Sequence, residues 1–190
     1  MRGQPLARGA NVALTRENPS LTGVVLGLRW DTGSDPVLAA NLVAAAMLCG
    51  PDHKVLSDGH FVFFNQLTSP DTSVAQLEEL VGDDAEQIEV DLAAVPAEVE
   101  RIVVVVYLNE GSPARRSLGQ LRHCAVRLLD QADNRELARS EDLAPALSTE
   151  TALVMGYLYR YKGTEWRFRV VGQGYSSGLR GVAGDYGVTL

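Results

Sequence analysis

The 190-residue chain is poor in several features that would narrow its function. It has two cysteines, Cys49 and Cys124, and neither sits in a C-x-x-C pair. That is too few for a disulfide framework, and both are expected as buried apolar thiols. Basic residues are outnumbered, 17 Lys and Arg against 24 Asp and Glu, for a formal net charge of -7. No excess of cations is available to neutralise phosphates, and a nucleic-acid partner is not expected. No apolar run reaches the roughly 18 residues of a membrane span. The N-terminal "MRGQPLARGANVAL" has no apolar h-region, so no signal peptide is expected and a cytoplasmic location is.

Catalytic motifs are missing too. There is no G-x-S-x-G elbow, no H-E-x-x-H and no Walker A pattern. Of the three histidines, His53 and His60 flank a turn at a spacing unsuited to paired ligands on one element, and they read as surface or half-buried strand residues. "GQGYSSG" (172–178) does not lead a G-x-G-x-x-G register into a long helix and reads as a tight turn. Nothing in the chain predicts an enzyme.

What is present is a soluble globular composition, 46% apolar and 22% charged, long enough for one domain over 1–190 with a sizeable core. The pattern is of short strands punctuated by turns. "NVALT", "GVVLGLRW", "HFVFFN", "EQIEVDL" and "LRHCAVRLLD" read as strands. In "EQIEVDL", Ile88 and Val90 face inward; in "LRHCAVRLLD", Cys124, Val126 and Leu128 oppose His123 and Arg127. "RIVVVVYL" reads as a central strand buried on both faces. "VAQLEELV" (74–81) is expected as one or two helical turns capped by Ser73. Residues 150–175 form the clearest hairpin, closed by "YKGTE". Its parity puts Tyr157, Tyr159 and Tyr161 with Leu153 and Met155, and Trp166 with Phe168. Core packing is the expected role, with a docking surface as the alternative. A short helix is expected near 176–185. The sum is a mostly-β sandwich with a few short helices.

"VLAANLVAAAML" (37–48) stands apart. It is uncharged and Ala-rich, and read alone it is a core helix. Loop acids lie on either side of it and beyond: Asp31, Asp35, Asp52, Asp58, Asp71, Asp83, Asp84 and Glu86. Calcium takes about 6–8 oxygen ligands, so clustered loop acids are its natural host, although such acids are usually just solvated.

The residues then resemble a known family along nearly the whole chain. "LARGANVALT", "KVLSDGHFVFFNQLTSPDTSV", "GDDAEQIEVDLAAVPAEVERIVVVVYL", "STETALVMGYLYRYKGTEWRFRVVGQGY" and "GLRGVAGDYGV" occur in the order seen in the tellurium-resistance TerD family of bacterial stress proteins. The resemblance implies a two-sheet antiparallel β-sandwich with calcium in loops at one edge. It implies a non-enzymatic binding or scaffold role in resistance to tellurite and other chemical stress, with Ter-type proteins as partners. Two departures stand out. Where the family runs D-x-D-L-D-x-S, this chain has Ala39, Asn41, Val43 and Ala45, positions of one parity that share a face if the segment is a strand. Between Ser73 and Gly82 the family's long glycine-rich acidic loop is replaced by a shorter, helix-like segment. Affinity for calcium falls with ligand charge count, so binding is expected to be weak or absent. The alternative is a calcium-binding stress protein that keeps a weakened site from Asp31, Asn41, Asn65, Asp71, Asp83 and Asp84.

Overall fold

The computed structural model describes residues 4–109 and 116–190. In chain order the elements are β1 (Asn11–Ala13), β2 (Gly23–Asp31), α1 (Pro36–Asn41), β3 (Leu42–Cys49), β4 (Phe61–Val62), β5 (Val74–Gln76), β6 (Glu86–Asp91), β7 (Arg101–Leu108), β8 (His123–Asp130), β9 (Glu136–Arg139), β10 (Ala152–Tyr161), β11 (Glu165–Tyr175) and α2 (Leu179–Tyr186). They form two antiparallel sheets, ordered β1-β11-β10-β7-β3-β4 and β5-β6-β2-β8-β9. This is the expected two-sheet sandwich. Alternation builds its core: Val24, Leu26 and Leu28 of β2, Ile88 and Val90 of β6, and Cys124, Val126 and Leu128 of β8 meet the inward residues of β3, β7, β10 and β11. Both cysteines are free and buried, and burial pushes each thiol up to about 12. β7 lies between β10 and β3 with both faces buried, which explains its unbroken valine run.

The Ala-rich stretch is neither all helix nor all strand. Asp35 caps α1, accepting from the Val37 and Leu38 N–H groups at 3.1 and 3.2 Å, with Pro36 in the first turn. The helix ends at Asn41, whose Nδ2 donates to the Val37 carbonyl at 2.8 Å. From Leu42 the chain becomes β3, paired with β7. Leu42, Ala44, Ala46 and Leu48 enter the inter-sheet core, while Val43, Ala45, Met47 and Cys49 enter a second apolar cluster on the outer face, beneath α2. A strand covered on both faces has no place for charge. Ala39 and Asn41 are therefore helical, and Val43 and Ala45 are buried strand residues, so the four do not share one strand face.

Three other expectations change. Residues 74–76 are strand, because Val74 and Gln76 are buried while Ala75 is half-exposed, and β6 pairs with them; a period of two wins over local helix propensity. "HFVFFN" keeps only Phe61–Val62 as strand, and residues 63–66 close a tight turn. In the β10–β11 hairpin the register shifts between Val154 and Gly156. A Cβ at 156 would stand 2.4 Å from the Arg169 carbonyl oxygen, so the bulge requires glycine. The shift reverses parity: Leu153, Met155 and Leu158 face the core, while Tyr157, Tyr159 and Tyr161 face outward. Trp166 and Phe168 do share the core face. Among the described residues no helix is long and apolar enough to cross a membrane.

Candidate functional site

Asp31 ends β2, opposite His123, and its Oδ1 accepts the Gly33 N–H at 2.8 Å. Asn41 ends α1 at the same end of the sandwich, its amide donating back into the helix. Asp83 is exposed in the turn leading to β6, and Asp84 follows it. Asn65 sits exposed at the tip of the 63–66 turn. Asp71 belongs to the other end: the Ser73 carbonyl accepts from Asp91 N–H, and Asp91 pairs with Gly23, the first residue of β2. Eight strand steps separate Gly23 from Asp31, about 26 Å at ~3.3 Å per residue. Asp31 and Asp71 cannot ligate one ion. Among the described residues no group of three or more His, Cys, Asp or Glu side chains is placed to hold a metal. The six positions are therefore not gathered around one point.

Asp71 and Asp35 have other work. Asp71 Oδ1 accepts from Ser69 Oγ at 2.9 Å, Ser73 N–H at 2.8 Å and, at closer range, Ser73 Oγ. Burial pushes the Asp71 carboxyl up, but the Ser73 and Ser69 bonds outweigh it and hold the pKa below the usual carboxylate value. Its Oδ2 lies 3.9 Å from His60 Nε2, and His60 Nδ1 in turn lies 2.7 Å from Ser57 Oγ. At the opposite end Asp35 receives Arg116 Nε at 2.8 Å, which lowers its pKa.

Asp84 is the most constrained of the six. Its side chain is 0% exposed. It crosses onto the outer face of the five-stranded sheet and lies over Gly27; a Cβ there would be 2.1 Å from Asp84 Oδ2. Arg29 Nε donates to Oδ1 at 2.7 Å, Arg127 Nε to Oδ1 and Oδ2 at 2.9 and 3.0 Å, and Gln87 Nε2 to Oδ2 at 2.8 Å. Gln87 also binds the Val81 backbone through both ends of its amide, so the 81–87 turn is pinned to the sheet. The carboxylate thus already holds two cations, which face it from 55 and 43 residues away. Nothing local in the sequence marks that pairing. The usable signal was weaker: Arg29 and Arg127 both occupy outward positions of strands that proved to be neighbours.

The fold defines the class first: a two-sheet antiparallel sandwich with its acids in end loops and on one outer face. Two solved structures share it at a TM-score of 0.67. One is a homologue of a telluride resistance protein from Streptomyces coelicolor A3(2), at 18% identity, covering 86% of this chain and 96% of that one. The other is a protein of unknown function, at 24% identity, covering 90% and 99%. The TerD domain model matches residues 3–186. Tellurium resistance protein TerD of Serratia marcescens is 42% identical over 188 residues, 96% of each chain, and General stress protein 16U of Bacillus subtilis (strain 168) is 38% identical over 190, 97% of each. The chain belongs to the TerD family.

Proposed function

We propose that this chain is a stress-response binding protein of the TerD type that catalyses no reaction and whose calcium site is degenerate. Relatives named for tellurium resistance and general stress support the stress role. One observation carries the calcium reading: Asp84, one of the six positions expected to form a weakened site, is buried between Arg29 and Arg127. A divalent ion beside it would meet two guanidinium groups, and like charges at that range repel strongly away from bulk water. Its family-like companions do not compensate, since Asp71 lies at the Gly23 end of β2, four strand steps from the Gly27 that Asp84 covers, about 13 Å at ~3.3 Å per residue, and Ala39, Val43 and Ala45 offer no side-chain oxygen. Calorimetric titration of the chelator-treated protein with Ca²⁺ tests this. The expected result is no saturable heat in the micromolar range. A stoichiometric micromolar isotherm overturns it and restores the weakened-site reading.

A further inference from the structure

A cavity of about 310 Å³ opens on the outer face of the five-stranded sheet, beside the Asp84 cluster. Its floor is Ala125 of β8, paired with Arg29 across β2. From the β2 and β8 side, Arg29 and Arg127 reach into it. Both direct Nε at Asp84, and among the described residues no acceptor lies within hydrogen-bonding distance of their Nη groups. From the β9 side come three carboxylates, Glu136, Glu141 and Asp142, and one cation, Arg139, the register partner of Arg127. Glu136 lies 3.5 Å from Arg139, and Asp142 Oδ1 accepts the Cys124 and Ala144 N–H groups. Asp142 Oδ2 stays 3.6 Å from His123 Nδ1, and among the described residues the Glu141 carboxylate accepts a single hydrogen bond, from Arg8 N–H at 3.4 Å.

The geometry points to a binding site for a small zwitterion of the α-amino-acid class, its carboxylate on Arg29 and Arg127 and its ammonium facing Glu141 and Asp142. Three features carry the assignment. The cavity is bipolar because the strand order β2-β8-β9 puts the free guanidinium edges of Arg29 and Arg127 on one wall and a net excess of carboxylate on the other, where Arg139 is paired with Glu136 and leaves Glu141 and Asp142. A plain anion would meet the acidic wall, and a plain cation the arginines. The arginines are held in place before any ligand arrives, since a fully buried carboxylate fixes both Nε atoms and the missing Cβ of Gly27 gives it room. The volume is at the small end of small-molecule sites. Asp84 is then a positioning residue, and the assignment rests on the reading above that it is not a calcium ligand.

The test is an amide ¹H–¹⁵N titration of the full chain, in chelator, with each of the twenty L-amino acids in turn. Acetate and methylammonium are the one-pole controls. At least one amino acid should saturate shifts at Ala125, Arg127 and Ser140, with both controls about tenfold weaker or worse. Arg29→Gln should weaken binding about 10- to 100-fold, while Arg127 and Gln87 still hold Asp84. Ala125→Leu, which fills the floor without touching the Asp84 bonds, should abolish it at an unchanged thermal midpoint. Silence toward all twenty amino acids overturns the site, as does acetate binding as tightly as any of them, or full binding by Ala125→Leu. Calcium added without chelator is read separately: shifts at Asp84 and its neighbours overturn the calcium reading, whereas silence toward amino acids alone leaves that reading standing.

Discussion

On the outer face of the six-stranded sheet, α2 lies over Val43, Ala45, Met47, Val103, Val105 and Val154, and Val182 is buried among them. On the outer face of the five-stranded sheet no helix among the described residues plays that part, and the surface around Gly27 carries Arg29, Gln87, Arg127 and the incoming Asp84. One face is closed by apolar packing and the other by a buried charge cluster. Arginines occur on both. On the five-stranded sheet they are held by a carboxylate. On the six-stranded sheet they lie over tyrosine rings: Arg101 is 4.3 Å from the Tyr157 centroid, Arg167 3.8 Å from Tyr161 and Arg169 5.9 Å from Tyr159. The difference matters for function. A guanidinium over a ring is already covered on one face, whereas one fixed through Nε keeps its Nη edge for a ligand.

The largest effect should come from removing the shared carboxylate. Asp84→Ala leaves Arg127, whose side chain is 16% exposed, without its anion, while Arg29, 41% exposed, can turn to water. Breaking a buried pair from one side costs about 3–5 kcal/mol, and the freedom of Arg29 argues for about 3. In a chain of this size that lowers the thermal midpoint by about 6–12 °C. A loss below about 1 kcal/mol in denaturant titration would mean that the cluster sits on the sheet without holding it.

Val182→Ala tests the apolar face in the same way. The residue is 0% exposed and loses two methyl groups. At ~0.8 kcal/mol per buried carbon, plus a cavity contribution, about 2 kcal/mol is expected. If this loss exceeds that of Asp84→Ala, the ranking of the two faces is reversed and the charge cluster is the lesser clamp.

The strands that close these faces were largely legible in sequence, because a sheet with one wet face writes itself as alternation; Ile88, Val90, Cys124, Val126 and Leu128 all point inward. Legibility failed where a face is not wet or where register breaks. Residues 42–49 are covered on both sides, so β3 shows an unbroken apolar run that reads equally as helix. The Gly156 bulge inserts one residue and turns three tyrosines outward, and the reason for it, the Arg169 carbonyl and the Phe168 ring, lies on another strand. The candidate site failed for the same reason. Acids were legible as acids, but whether Asp84 meets an ion or two arginines depends on contacts 43 and 55 residues away.

The smallest effect belongs to the tyrosine ladder, and it is best measured as a coupling. In a double-mutant cycle, Arg101→Gln and Tyr157→Leu each remove one partner of the closely stacked pair, and their non-additivity isolates the contact. At a partly exposed site about 0.5–1 kcal/mol is expected. The same cycle on Arg169 and Tyr159, at 5.9 Å, should return less, because the attraction fades near that range. Equal couplings would mean that the ring faces are not what holds these arginines. A coupling as large as that between Arg127 and Asp84 would remove the distinction between the two faces. The expected order, carboxylate above close ring above distant ring, follows from burial: the Asp84 side chain is 0% exposed, whereas Tyr157 and Tyr159 are only half-buried and their arginines remain partly solvated.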